Sequence, residues 1–254
     1  MNYDKLLNAT TRLGYILLEN GAETYRVEES MMRIFGAYGI VDADVFVIPT
    51  MIIVSITPPG LPTITQQKRV HSRGTNLYKV QQANSLCRQA CRILPTTEDL
   101  ERDIAAIDHS PAYPALLQFF AYGLAAFAFA LFFQGSFSDA LWAGLCGIMI
   151  KGIFIKMGQW HANPFFINVV ASAAVTAVAM GSLALGLCAD SDKVTIGAIM
   201  LLVPGVALTN FMRDTIAADY VSGLTKLLEA ILIGTGIALG TYISMTVFIA
   251  LTGV

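Results

Sequence analysis

A small α+β domain followed by a bundle of membrane-spanning helices is the fold this 254-residue chain predicts, and three observations carry it. Charged residues are 13% of the sequence, against roughly 25% in soluble domains. They are also unevenly spread. Residues 1–110 hold 11 of the 16 Lys and Arg and 12 of the 18 Asp and Glu, which leaves 5 and 6 for the last 144 residues. Within those 144, five segments approach the roughly 20 apolar residues that a helix needs to cross a hydrocarbon core. The expected division is a soluble α+β domain over 1–112 and a transmembrane domain over 113–254.

The opening stretch MNYDKLLNATTRLGYILLEN has polar residues throughout and no continuous apolar core, so no secretory signal is expected and this region should stay in the cytosol. Leu6, Leu13, Ile16 and Leu17 form an apolar stripe on a first helix, which Gly21 can end because glycine accepts a left-handed backbone. Val27, Met31, Ile34, Phe35 and Tyr38 recur at helical spacing on a second helix and leave Arg26, Glu29 and Arg33 outward. Three β-rich runs follow, Asp44 to Ile48, Met51 to Thr57 and Thr63 to Val70, joined by Pro49-Thr50 and Pro58-Pro59-Gly60; they predict an antiparallel meander. Thr75 can cap a helix running to about Ile93 with Leu77, Val80, Leu86 and Ala90 inward, and Thr97 or Asp99 starts an acidic helix ending near His109. The proline-rich HSPAYP reads as the linker. Lys68, Arg69, Arg73 and Lys79 read as a solvated face, with anionic lipid or substrate attraction as the alternative.

The expected spans are 115–133, 140–157, 165–187, 194–211 and 227–251. With the N-terminal region inside, Lys151, Lys156, Arg213 and Lys226 fall on the cytosolic side and Lys193 outside, which places Val254 externally. Lys151, about four residues inside its span, can snorkel to that interface. Five is an odd number, so a second five-span unit could take the opposite orientation, as in transporters built from inverted repeats. Gly236 and Gly240 are spaced GxxxG, which lets helices approach closely. Gln118 and Asn168 are expected to hydrogen-bond between helices.

The fourth span is interrupted by Pro204-Gly205 and followed by Asn210, Arg213, Asp214, Asp219, Lys226 and Glu229. Proline lacks an N–H and crowds the preceding turn, freeing backbone acceptors where an unmet polar group costs several kcal/mol. Such a break beside ionisable groups points to a transporter site lined by Pro204, Gly205, Thr209, Asn210 and Arg213; a tolerated kink is the alternative. Arg213 can offer paired donors to a carboxylate, or can act as a positive-inside anchor neutralised by Asp214. Asn210 and Asp214 share a face at i, i+4. Asp214 and Glu229 are the candidates for coupling to an ion or proton, Glu229 alternatively pairing with Lys226 at the interface. Asp219 reads as a capping or solvated residue of the turn DTIAADYVSG.

Enzyme and metal readings find little support. The four cysteines are scattered, with Cys87 and Cys91 an isolated i, i+4 pair; His71, His109 and His161 sit in unrelated contexts; no GxSxG, HExxH or GxxxxGK[ST] occurs. No cofactor, no metal and no nucleic acid is expected.

The strings GAETYRVEE, DVFVIPTMIIVSI, RVHSRGTNLYKV and PGVALTNFMRD…DYVSGLTKLLEA resemble the threonine/serine exporter family over almost the whole chain. The resemblance implies a cytosolic amphipathic domain ahead of about five spans. Gly21, Glu23, Arg26 and Glu28 are its motif residues in that domain. It also implies a transporter made either as one long ten-span chain or as two subunits; this chain is similar to the first half, so the split type with a second membrane subunit is expected. Location in the inner or plasma membrane and export of a small carboxylate or amino acid follow from the same resemblance. Split members are also associated with dicarboxylates such as succinate. A membrane-anchored regulator, its soluble domain sensing a ligand, is the alternative of a different class.

Overall fold

The computed structural model describes residues 2–71, 74–111, 113–160 and 162–252. Two compact units emerge: Met1–Pro111 with Ala218–Ser222, and Ala112–Ala217 with Gly223–Val254.

In the first unit, helices α1 (Tyr3–Glu19) and α2 (Thr24–Ala37) precede a sheet of β1 (Asp42–Ile48), β2 (Met51–Thr57) and β3 (Ile64–Arg69), then α3 (Leu77–Ile93) and α4 (Thr97–Asp108). Asn2 caps α1 by accepting from Lys5 N, and Gly21 lies just beyond its end at φ +92°, the left-handed conformation that glycine tolerates. The sheet is the expected antiparallel meander, ordered β1-β2-β3 with Val47 opposite Ile52 and Ile56 opposite Ile64. Alternation on β2 sends Ile52, Val54 and Ile56 into a core shared with Leu6, Leu13, Ile16, Leu17, Met31, Ile34, Phe35, Leu100 and Ile104. Each such aliphatic side chain contributes about 1.5–3 kcal/mol by burial.

Helix α3 departs from the sequence reading. Asn76, not Thr75, is its cap, accepting from Lys79 N at 3.1 Å. Leu77, the first residue of α3, is 69% exposed, contrary to its expected inward place, and the buried set is Ala83, Leu86, Cys87 and Ala90. Helix α4 starts at Thr97, one of the two expected starts, with Thr96 as its cap accepting from Asp99 N.

The second unit is helical: α5 (Ala115–Phe132), α6 (Phe137–Gln159), α7 (Pro164–Ala184), α8 (Ser191–Ile199), α9 (Gly205–Ile216) and α10 (Tyr220–Thr252). Four of these, α5, α6, α7 and α10, are long and apolar enough to cross a membrane, which makes the chain a multi-pass helical membrane protein. The fifth expected span, 194–211, is two shorter helices separated at Met200–Pro204. At about 1.5 Å per residue, α8 and α9 reach roughly 14 and 18 Å, so neither crosses a core of about 30 Å alone.

Small residues set the packing of this unit. A Cβ on Gly147 would lie 2.8 Å from that of Ala126, and one on Gly197 would lie 2.7 Å from that of Ala130, so α5, α6 and α8 meet nearly backbone to backbone. The GxxxG pair behaves likewise. A Cβ on Gly236 would meet the Phe165 carbonyl at 3.0 Å, and one on Gly240 would overlap the Val169 carbonyl and Ser172 Oγ, so both glycines face α7. Asn168 and Gln118, expected to bond between helices, donate locally to Pro164 O and Tyr113 O. Ser172 and Thr176 also return their hydroxyls to their own helix, because in an apolar setting the nearest carbonyl satisfies a short side chain without a partner helix.

Candidate functional site

The expected site residues fall in two places. Pro204, Gly205, Thr209, Asn210, Arg213, Asp214 and Glu229 lie on the α9–α10 pair of the second unit, whereas Gly21, Glu23, Arg26 and Glu28 belong to the first.

On the second unit the chain leaves α8 through hydrogen bonds from Leu201 N to Ala198 O and from Leu202 N to Ile199 O, a tightened last turn. Pro204, at ψ 56°, is the residue before α9 and Gly205 is its first. A Cβ on Gly205 would meet nothing within 4 Å, so the break is open on that side. The first N–H groups of α9 have no acceptor within the helix, and its dipole places partial positive charge at this end.

Farther along α9, Arg213 Nη2 donates to Asn210 Oδ1 at 3.1 Å and lies 3.7 Å from Asp214 Oδ1. The Arg213 side chain is 36% exposed, while Asp214 is buried. Asp214 Oδ2 accepts from Lys226 Nζ on α10, and Lys226 is also buried. Its ammonium therefore serves Asp214, and among the described residues it forms no ion pair with Glu229. Counting formal charges, Arg213, Asp214 and Lys226 sum to +1, with the negative member already matched by Lys226. Arg213 thus has its fork steadied by Asn210 and stands at the longer distance from Asp214. Such a group can hold one carboxylate in bidentate fashion.

Two expectations need qualifying by geometry. Arg213 follows Gly205 by eight residues, about 12 Å along the axis, so one small metabolite meets both only if the arginine side chain reaches back along α9. Thr209 Oγ1 donates to Gly205 O at 2.8 Å and is exposed. Asp219 takes the capping role, accepting from Ser222 N at the start of α10.

The Asp214–Lys226 pair is what reading the sequence missed. Its signal was available: Asp214 stands three residues before the turn at Ala217–Asp219 and Lys226 seven after it, within two helical turns on either side, where an antiparallel helix pair and a long lysine side chain can bring them together. Asp139 was missed as well. It is 1% exposed and accepts from Ser136 N and Oγ, Ala189 N and Asp190 N, tying the start of α6 to the loop before α8. The S-x-x-D spacing of a capping box was its signal.

In the first unit the motif residues build structure. Arg26 Nε pairs with Glu23 Oε2 at 2.8 Å, and Glu28 Oε1 accepts from Val47 N at 2.8 Å, joining α2 to β1. Burial pushes the Glu28 carboxyl above its ordinary range, against the lowering effect of that N–H. Of the basic set, Lys68 sits over the Tyr15 ring and Lys79 Nζ donates to Asp108 O; Arg73, like His161 and Val254, lies outside the described residues. Lys151, expected to snorkel, stands with Nζ 5.1 Å from the Tyr122 ring centre. No group of three or more His, Cys, Asp or Glu that could hold a metal occurs among the described residues.

Comparison with known proteins bears on this arrangement. A family model described as "Putative threonine/serine exporter" matches residues 8–248. The "Probable threonine/serine exporter" of Mycobacterium tuberculosis is 24% identical over 247 residues, covering 95% of this chain but 46% of that protein. The "Probable succinate transporter subunit YjjP" of Escherichia coli is 24% identical over 245 residues, covering 94% of this chain and 95% of that one. The "Pheromone-regulated membrane protein 10" of Eremothecium gossypii is 27% identical over 242 residues, with 32% of its length covered. The chain thus spans about half or less of two of these relatives and nearly all of the third. No solved structure matches it.

Proposed function

The chain belongs to the threonine/serine exporter family, and on that premise we propose that it is one subunit of a secondary exporter that moves small carboxylated metabolites of the threonine/serine type out of the cytoplasm, together with a second membrane subunit. The observation that carries this reading is the interrupted α8–α9 path leading to Arg213 steadied by Asn210, beside an Asp214 already matched by Lys226. Broken helices at ionisable groups are a recurring way of building a substrate site inside a membrane.

In this reading α8 and α9 together form the fifth crossing, their summed length of about 32 Å matching the hydrocarbon core. The Lys and Arg distribution supports an N-terminal region in the cytoplasm and a C-terminus outside the inner or plasma membrane. Arg213 takes the substrate carboxylate. Asn210 holds the guanidinium in place, and Glu229, in α10, together with Asp214 supplies the carboxylates for coupling.

The partner is inferred from two facts. The mycobacterial relative is about twice as long as the matched region, and the E. coli relative, matched over 95% of its length, is named as a subunit. That second match favours a C4-dicarboxylate such as succinate as the alternative substrate. Geometry weighs the other way: the single guanidinium fork of Arg213 takes one carboxylate, and a second would need a cation from elsewhere, the partner included. The test is efflux of preloaded threonine, serine and succinate from cells expressing this chain with and without the membrane protein encoded beside it. Export of one of them only when both are present is expected; no efflux above the empty-vector rate in either case would overturn the reading.

A further inference from the structure

A cleft between α2 and α3, wholly within the first unit, has a volume of about 670 Å³. Arg26 and Arg33 line it from α2 and Arg88 and Arg92 from α3, while its floor is closed where Cys87 Sγ donates to Ser30 O at 3.4 Å. We propose that this cleft binds a soluble organic polyanion carrying carboxylate or phosphate groups. The proposal does not depend on the export reading.

The charge balance is the first argument. Four guanidinium groups and one carboxylate, Glu29, line the cleft, a formal +3 in a protein whose net charge is −2. Arg33 is matched by Glu29 at 2.6 Å and Arg26 by Glu23 at 2.8 Å. The other two are not matched: α3 contains no Asp or Glu in its 17 residues, and among the described residues neither Arg88 nor Arg92 has an ion-pair partner. Arg92, in the last turn of α3, complements the helix dipole there. That accounts for one arginine and not for four on one cleft, and like charges at i, i+4, as Arg88 and Arg92 are, oppose each other on a helix.

Geometry supplies the second argument. Positions 26 and 33 on α2 and 88 and 92 on α3 are each spaced to share a helix face, so the guanidinium groups converge across a concave surface. Planar forks of this kind recognise carboxylate and phosphate oxygens in pairs. The volume lies in the range of pockets that take organic ligands well above the size of a single phosphate ion. Tyr25, on the same wall, adds an aromatic face.

Full-length chain in nanodiscs of zwitterionic lipid, titrated calorimetrically with citrate, pyrophosphate and ATP at low salt, tests the proposal. Saturable binding of at least one is expected, weakening as salt rises. Arg88→Gln/Arg92→Gln should reduce affinity at least tenfold and Arg88→Lys/Arg92→Lys severalfold, because lysine keeps the charge and loses the fork; Arg102→Gln on α4, whose arginine pairs with Asp99, should bind as wild type. Cys91 gives a readout on the unmutated protein, since it lines the cleft and is partly exposed: the bound anion should slow its alkylation by N-ethylmaleimide. Absence of saturable binding by all three anions at millimolar concentration, equal affinity in the Gln double variant, or association only with vesicles of anionic lipid would each overturn it.

Discussion

Removing one member of the Asp214–Lys226 pair is predicted to damage the α9–α10 pair far more than removing both. Asp214 is 3% and Lys226 6% exposed, so each substitution leaves a desolvated group of opposite charge without its partner. Breaking a buried ion pair costs about 3–5 kcal/mol, whereas replacing both charges by apolar groups of similar volume is often neutral. The structure refines these magnitudes. Lys226→Met leaves the Asp214 carboxylate with Arg213 at 3.7 Å as a second cation, so the loss should fall near the lower end, about 3 kcal/mol. Asp214→Leu leaves Lys226 with no other ion-pair partner among the described residues, and the loss should approach about 5 kcal/mol. The double variant should return to within about 1 kcal/mol of wild type, a coupling energy of several kcal/mol. Thermal or denaturant unfolding of purified protein in one fixed detergent, with all three variants, completes the cycle. Additive losses, with the double variant worst of all, would refute the claim that the two charges serve each other.

Three further outcomes follow from the same geometry. Pro204→Ala restores a backbone N–H where α8 and α9 separate, so export should fall while membrane insertion, followed by quantitative immunoblotting, is unchanged. Gly240→Ala places a Cβ against the Val169 carbonyl, which is backbone and cannot rotate away; a loss of about 1–3 kcal/mol in detergent stability is expected, and wild-type stability would show that α7 and α10 do not pack there. Glu28 is held above its ordinary pKa of 4.5 by burial, so the native state keeps its proton to higher pH than the unfolded chain and its contribution to stability declines as pH rises above 4.5. Glu28→Gln keeps an acceptor for Val47 N and should flatten that decline in a melting series from about pH 4 to about pH 8, whereas a slope equal to wild type would assign the effect elsewhere.

The sequence made the amphipathic faces legible because burial follows a fixed period: Leu6, Leu13, Ile16 and Leu17 are all fully buried, and so are Ile52, Val54 and Ile56 on β2. Where two adjacent residues could each cap a helix, period alone does not choose, and α3 begins after Asn76 although Thr75 had the same chemistry. Hydropathy marks where lipid can begin, not where a helix begins. Helix α10 therefore starts at Tyr220, seven residues before its expected span, and carries Ser222 and Lys226 along its first turns. Pro204 identified the interruption from covalent structure alone. The partner of Asp214 was harder, because a lysine near a span end reads equally well as a topological anchor, and only the turn between the helices brings it level with the aspartate.

The central claim is that Arg213 holds the carboxylate of the exported metabolite. Arg213→Lys keeps the positive charge that would anchor the helix end and removes the two-pronged donor, so one substitution separates the two roles. Efflux of the transported substrate is measured from preloaded cells, in the presence of the partner subunit and at membrane abundance matched by immunoblotting. A carboxylate-binding Arg213 predicts a fall corresponding to about 1.5–3 kcal/mol, the worth of a charge-assisted hydrogen bond, or roughly tenfold or more in rate at limiting substrate. Wild-type efflux from the lysine variant would contradict the account and leave Arg213 as an anchor.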